Sequence, residues 1–192
     1  MTEIGEAGGQ PFPNPMAGTT KEAYWKHRAP YKMQSAEEFG RVQWHGKCQC
    51  GQVRFKLNRE RPLRSKYCHC RNCQLLHGAP FQWAAIFHKT DVAFVNGADG
   101  LAFYSAGDRT REYETPTKLS CSYCRTPIMD EGRNMCMVFP TTIEHGSSDR
   151  EVQEWREAFA VECHIFYSAR AVDMPDGKPK WSGLDGHSDQ LE

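Results

Sequence analysis

The sequence predicts a mainly β fold with one short helix, and three observations carry that prediction. First, several short segments alternate apolar and polar residues or are rich in β-branched and aromatic side chains: VRFKL (53–57), FQWAAIF (81–87), VAFV (92–95), LAFY (101–104) and MCMVF (135–139). That is the pattern of half-buried strands. Second, Gly97, Gly100 and Gly107 fall between such segments, where turns belong. Third, residues 149–161 show a helical period. Ser148 and Glu151 form a capping-box pair, and Val152, Trp155 and Phe159 share one face. HIFY (164–167) reads as a late strand.

The chain divides by texture into three parts. Residues 1–40 begin GEAGGQPFPNPMAG from residue 5, a Gly- and Pro-rich arm, followed by Tyr24, Trp25 and Tyr31 among basic residues. Those aromatics suit an arm that docks on the domain or on a second subunit, so a homodimer is one alternative; a disordered tail is the other. Residues 41–175 form one β-rich domain, and 176–192 a turn-rich tail. Lys plus Arg equals Asp plus Glu at 24 each, which removes the electrostatic footprint of a general nucleic-acid binder. The N-terminus has no secretory pattern, and no stretch approaches the ~20 apolar residues of a membrane span. A cytoplasmic protein with a small-molecule partner, and no nucleic-acid or membrane partner, is expected.

Nine cysteines in such a chain need an explanation. The count is odd and no export signal accompanies it, so a disulfide framework is disfavoured and clustered thiols read as metal ligands. KCQCG contributes Cys48 and Cys50, YCHCRNC contributes Cys68, Cys70 and Cys73, and SCSYC contributes Cys121 and Cys124. A closed structural zinc takes four ligands and a catalytic zinc keeps a position open. Spacing alone proves no pairing, but four plus three is the natural division. Cys48, Cys50, Cys121 and Cys124 then staple the ends of the β region, while Cys68, Cys70 and Cys73 hold a second zinc whose fourth ligand is the substrate. Zinc with three thiolates carries a net charge of about −1, so it suits an incoming thiolate better than the generation of hydroxide.

Neighbouring residues have more than one reading. Lys66 and Arg71 either offset the thiolate charge, contact a ligand carboxylate, or are solvated surface charges. His69, on an extended segment, points away from its cysteine neighbours, towards an outer position around the metal or the surface. His77 reads as a loop histidine, with proton shuttling as the alternative. Gly78 lets the backbone turn beside the metal, and Pro80 leads into the next strand. Phe81 and Trp83 are core or pocket residues. Cys136 and Cys163 lie in apolar contexts and read as core. The sequence lacks GxGxxG after a strand, GxxxxGK[ST], GxSxG and the zinc-deaminase pattern.

The ordered set GKCQCGQVRF, CHCRNCQLLHGAPF and a CxxC followed by TPIMDE resembles the glutathione-dependent formaldehyde-activating enzyme family, which includes the centromere protein V group. The resemblance spans about 41–173. It implies the Mss4-like, or β-tent, zinc fold of small antiparallel sheets. It also implies a structural zinc on Cys48, Cys50, Cys121 and Cys124, and a catalytic zinc on Cys68, Cys70 and Cys73. The implied activity is that of a carbon–sulfur lyase acting on glutathione, or another thiol, in adduct with an aldehyde. A non-catalytic scaffold with both zincs structural is the alternative. The tail from His164 to Trp181 is similar to the family's fungal branch.

Overall fold

The computed structural model describes residues 24–191. Three strands form a small antiparallel sheet in the order β1 (Trp44–Lys47), β2 (Arg54–Leu57), β5 (Val92–Phe94). The larger sheet is built around the antiparallel hairpin of β3 (Arg64–Cys68) and β4 (Gln82–His88). On one side it continues through β9 (Met135–Val138), β8 (Pro127–Glu131), β7 (Thr117–Cys121) and β6 (Leu101–Tyr104), all antiparallel. On the other it continues through β10 (Cys163–Ile165), β11 (Lys180–Trp181) and β12 (Gln190–Leu191). β10 runs parallel to both of its neighbours, and every other strand pairing is antiparallel, so the fold is mainly β with mostly antiparallel sheets, as expected.

Burial follows strand alternation, as on β6, β7 and β9. Both sheets contribute to one core: Phe55, Leu57 and Phe94 from the small sheet meet Phe87, Leu119 and Val138 from the large one. The helix α3 (Asp149–Ala158) has the expected Ser148–Glu151 capping box, and Phe159 at its end is fully buried. Two further α-helices accompany it, where one was expected: α1 (Ala36–Phe39) and α2 (Arg71–His77). Each is too short to display an amphipathic period. The strand read at 164–167 ends at Ile165, because Phe166 takes a left-handed conformation (φ 55°) and the chain turns.

Residues 1–23 of the arm lie outside the described residues. The part of the arm beyond them packs on the domain. Tyr31 is buried and stacks on Phe94, and its hydroxyl donates to Glu131 Oε2 at 2.5 Å. Trp25 stacks on Tyr113 at 4.0 Å, and Tyr113 also donates to Glu131, at 2.9 Å. Lys89 Nζ completes the set at 2.6 Å, so a carboxylate that is 1% exposed has three donors. Burial first, and the Glu131 charge second, push the Tyr31 hydroxyl well above its ordinary pKa, so it stays a donor. Among the described residues no helix is long and apolar enough to cross a membrane.

Candidate metal centres

Seven of the nine cysteines assemble into two groups, and the grouping is the four plus three expected from the sequence. Within each group the sulfurs lie within 4.8 Å of one another.

The first group joins two turns at the ends of strands. After β1 the chain folds back so that Cys48 N donates to Val53 O at 3.0 Å and Val53 N donates to Cys48 Sγ at 3.3 Å. After β7, Cys121 N donates to Thr126 O at 3.0 Å, and Arg125 takes a left-handed conformation (φ 65°). These turns bring Cys48 and Cys50 together with Cys121 and Cys124. Cys50 and Cys121, 71 residues apart, have sulfurs 3.8 Å apart, and Cys48 and Cys50 sulfurs are 3.4 Å apart. A tetrahedral ion with metal–sulfur bonds of about 2.3 Å would set sulfur–sulfur edges of about 3.8 Å. These separations are compatible with a four-thiolate metal site.

Ionisation supports this fit. Burial opposes a charge on Cys124, yet hydrogen bonds from the Thr126 hydroxyl and backbone amides bring its thiol down to about 5. Cys48 is also lowered: burial acts against it, and the Val53 amide together with the Cys50 and Cys121 thiols outweighs that, while Cys50 itself is raised. Burial pushes Cys121 up to about 12. Four thiolates this close repel one another, and a divalent cation is what allows all of them to ionise.

The second group is local. Cys68 ends β3, Cys70 caps α2, and Cys73 lies in the helix's first turn. Cys73 N donates to Cys70 Sγ at 3.4 Å, and the Cys73 and Cys68 sulfurs are 3.5 Å apart. Among the described residues the group ends at three. The adjacent Cys68 sulfur and burial push the Cys73 thiol well above its ordinary value, with the charge of Lys118 acting in the opposite direction. Gly78 closes α2 in the left-handed conformation (φ 58°), the turn expected of it.

Gln74, on α2, fixes this segment by donating to His69 O and Ala169 O, each at 2.8 Å. His69 is fully buried rather than at the surface, because β10 and the tail close over it. Asp176 is the base of this arrangement. Burial alone would raise its carboxyl, but hydrogen bonds from His164, the Lys178 amide and Lys180 hold it at about 2. His164 Nε2 therefore donates to Asp176 Oδ2 at 2.9 Å, and His164 Nδ1 accepts from His69 Nε2–H at 2.8 Å. Burial and the nearby His164 lower His69 to about 4. Its Nδ1 is then a buried lone pair without a partner. Nothing in the sequence pairs His164 and Asp176 with His69; the β3–β10 register does.

Other expectations resolve differently. Lys66 is neither solvated nor free for a ligand, because Asp185 of the tail forms an ion pair with it. Arg71 donates to Gln74 Oε1 at 3.2 Å. Phe81 and Trp83 pack on Tyr67, and Trp83 also meets Trp155. Cys136 and Cys163 are core residues. His77 is on the last turn of α2 rather than in a loop, edge-on to Phe139 at 4.9 Å.

Beside the second group lies a cleft of about 350 Å³, walled by α2, β7, β8 and neighbouring loops. Gln82 is the cross-strand partner of Cys68, so both side chains leave the same face of the sheet. Gln82 Nε2 donates to Asp130 Oδ2 at 3.0 Å, Lys118 pairs with that same oxygen, and Asp130 and Lys118 line the cleft. Asp130 lies in the TPIMDE stretch, but no local motif marks Gln82 or Lys118, and none of the three was expected at the site.

A family model described as glutathione-dependent formaldehyde-activating enzyme matches residues 43–169. No curated protein matches the sequence. Among solved structures, a structural-genomics crystal structure of a Rhodobacter sphaeroides protein is similar, at 23% identity and a TM-score of 0.44, covering 56% of this chain and 94% of that one. The family match extends from the first strand past the last cysteine and takes in both thiol groups. The chain belongs to the glutathione-dependent formaldehyde-activating enzyme family.

Proposed function

We propose that the chain is a zinc-dependent carbon–sulfur lyase that cleaves, or in reverse forms, the adduct of glutathione or another thiol with an aldehyde. It would carry two zinc ions: a structural one on Cys48, Cys50, Cys121 and Cys124, and a catalytic one on Cys68, Cys70 and Cys73. One observation carries the reading: a three-thiol group with no fourth side-chain ligand among the described residues, placed beside a cleft.

Zinc bound there supplies a soft site at which sulfur rests as thiolate. The protein does the rest. Cys68, Cys70 and Cys73 hold the site from a strand end and a helix start, and Gln74 keeps that segment rigid. In the cleavage direction the C–S electron pair goes to sulfur, the hydroxyl O–H pair becomes the C=O bond, and the hydroxyl proton leaves to a base. Holding both halves in one site lowers the entropic part of the barrier for the reverse addition.

Calorimetry with glutathione and S-methylglutathione, in buffers of different ionisation enthalpy, tests this reading. Glutathione should bind with release of about one proton per site as its thiol, pKa ~8.5 when unperturbed, becomes thiolate. S-methylglutathione should bind at least about tenfold more weakly, having no thiolate to offer the metal. Equal affinity without proton release would leave the second group structural and the chain a binding module.

A further inference from the structure

The described residues contain six buried side-chain polar atoms that lack a hydrogen-bond partner, and they are not scattered at random. Three of them, Asp130 Oδ1, Gln82 Oε1 and His77 Nε2, belong to one patch beside the cleft. Asp130 is 7% exposed and Gln82 4%, so neither is relieved by bulk solvent. The His77 ring faces Gln82 and can supply its amide oxygen with a donor, which leaves Asp130 Oδ1, an acceptor only, as the atom that calls for a donor from outside the protein. The patch also adjoins the three-thiol group. Gln82 is paired across the strands with Cys68, His77 lies one helical turn after Cys73 on the same side of α2, and the Lys118 charge is felt at Cys73.

Beyond this patch most of the cleft wall is apolar, with Leu76, Phe103, Leu119, Pro127 and Phe139, while Arg111 and Arg125 stand among its polar residues. Its volume of about 350 Å³ is at the lower end of the roughly 300–1,000 Å³ of clefts that hold organic ligands. A one-carbon electrophile would leave nearly all of that wall uncovered. The backbone amides of a tripeptide would find few partners on the apolar part of it.

We propose that this cleft seats the electrophile half of the adduct: a carbinol whose hydroxyl donates to Asp130 Oδ1 and whose body is an aromatic or alicyclic group. The inference rests on the lyase reading for the identity of the reaction, and on the cleft alone for the identity of the ligand. In cleavage the carbinol hydroxyl is the group that loses its proton, and Asp130 Oδ1 is the acceptor placed for it. Lys118, on the other carboxylate oxygen, keeps Asp130 oriented.

The probe is 2-naphthalenemethanol, which has the hydroxyl and the ring body but no thiol. It is titrated by calorimetry into the zinc-loaded full chain, beside naphthalene and glutathione. The carbinol should bind about tenfold or more tighter than naphthalene, the discrimination expected of one hydrogen bond to a charged acceptor. Leu76→Trp, which fills the cleft from a partly exposed helix position, should weaken the carbinol at least about tenfold more than it weakens glutathione. Asp130→Asn should cut the preference for carbinol over naphthalene to a few-fold, with zinc content and melting temperature reporting that the chain is folded.

Failure to bind the carbinol, with glutathione still binding and releasing its proton, would overturn the cleft assignment and leave the lyase reading intact. Carbinol binding by a chain that does not bind glutathione would uphold the assignment and remove the lyase. A Leu76→Trp chain that loses glutathione and keeps the carbinol would give the cleft to the peptide, against the proposal.

Discussion

The two thiol groups use the same side chain and similar short spacings, yet they sit differently in the fold. The four-thiol group takes its ligands from the end of β1, in the small sheet, and the end of β7, in the large one. An ion there would bolt two sheets together and close the loop between Cys50 and Cys121, which are 71 positions apart. The three-thiol group is contained in Cys68 to Cys73, and an ion there links β3 to the helix after it. Closing the longer loop removes more disorder from the unfolded chain than closing the short one, by about 2 kcal/mol at about 0.6 kcal/mol per doubling of length. A metal held by the long-range group would therefore bear more on stability than one held by the local group, which could leave a coordination position open.

Ligand removal should show the largest difference. Cys121→Ser should leave the chain unfolded or aggregated, since structural zinc contributes folding free energy of order 10 kcal/mol in small zinc domains. Cys70→Ser should remain folded, lose one zinc and lose thiol binding. Circular dichroism melts combined with elemental analysis check both variants. Equal unfolding of the two would erase the distinction drawn between the groups.

Two glycines sharpen the comparison with smaller effects. Gly46, on β1 just before Cys48, faces the ring of Phe55, and a Cβ there would lie 2.1 Å from a ring carbon. Gly46→Ala should cost about 1–3 kcal/mol, or more if Phe55 cannot move, and loosen the four-thiol group with the strand. Gly78 caps the helix of the three-thiol group with a left-handed φ of 58° and open space around it. Gly78→Ala should cost only about 1 kcal/mol, as backbone strain, and affect occupancy of the second site alone. Denaturant melts and zinc content per chain distinguish these outcomes.

Acid should separate the groups by the smallest margin. Bound metal requires thiolates, so falling pH returns protons and releases the ion, first from the group whose thiols hold protons more tightly. Burial opposes ionisation of Cys124, but Thr126 and backbone amides hold that thiol at about 5, and Cys48 is lowered too, although Cys121 and Cys50 are raised. In the other group Cys73 is raised by Cys68 and by burial. Titration from about pH 8 to about pH 5 with a colorimetric chelator should empty the Cys68–Cys73 group first and the four-thiol group second. The opposite order would mean that the open group binds its ion more strongly.

Much of this chain can be read locally. Chelation by CxC and CxxC needs only neighbouring thiols, so the ligand list was visible without a fold. The division of seven thiols into four and three comes from ligand count. The α3 capping box and the strand alternations depend on residues a few positions apart, and they too were legible. What the sequence alone did not determine lies in contacts between distant segments. α2 is seven residues long and carries no period, so the helix that presents Cys73 was invisible although its capping glycine was not. His69 meets His164 and Asp176 because β10 runs parallel to β3, and Gln82 meets Asp130 and Lys118 because β9, β8 and β7 succeed β4 in the sheet. Strand order and register are set by packing one shared core. A metal cage can be written in a few adjacent residues, whereas the cleft beside it exists only once nine strands have taken their places.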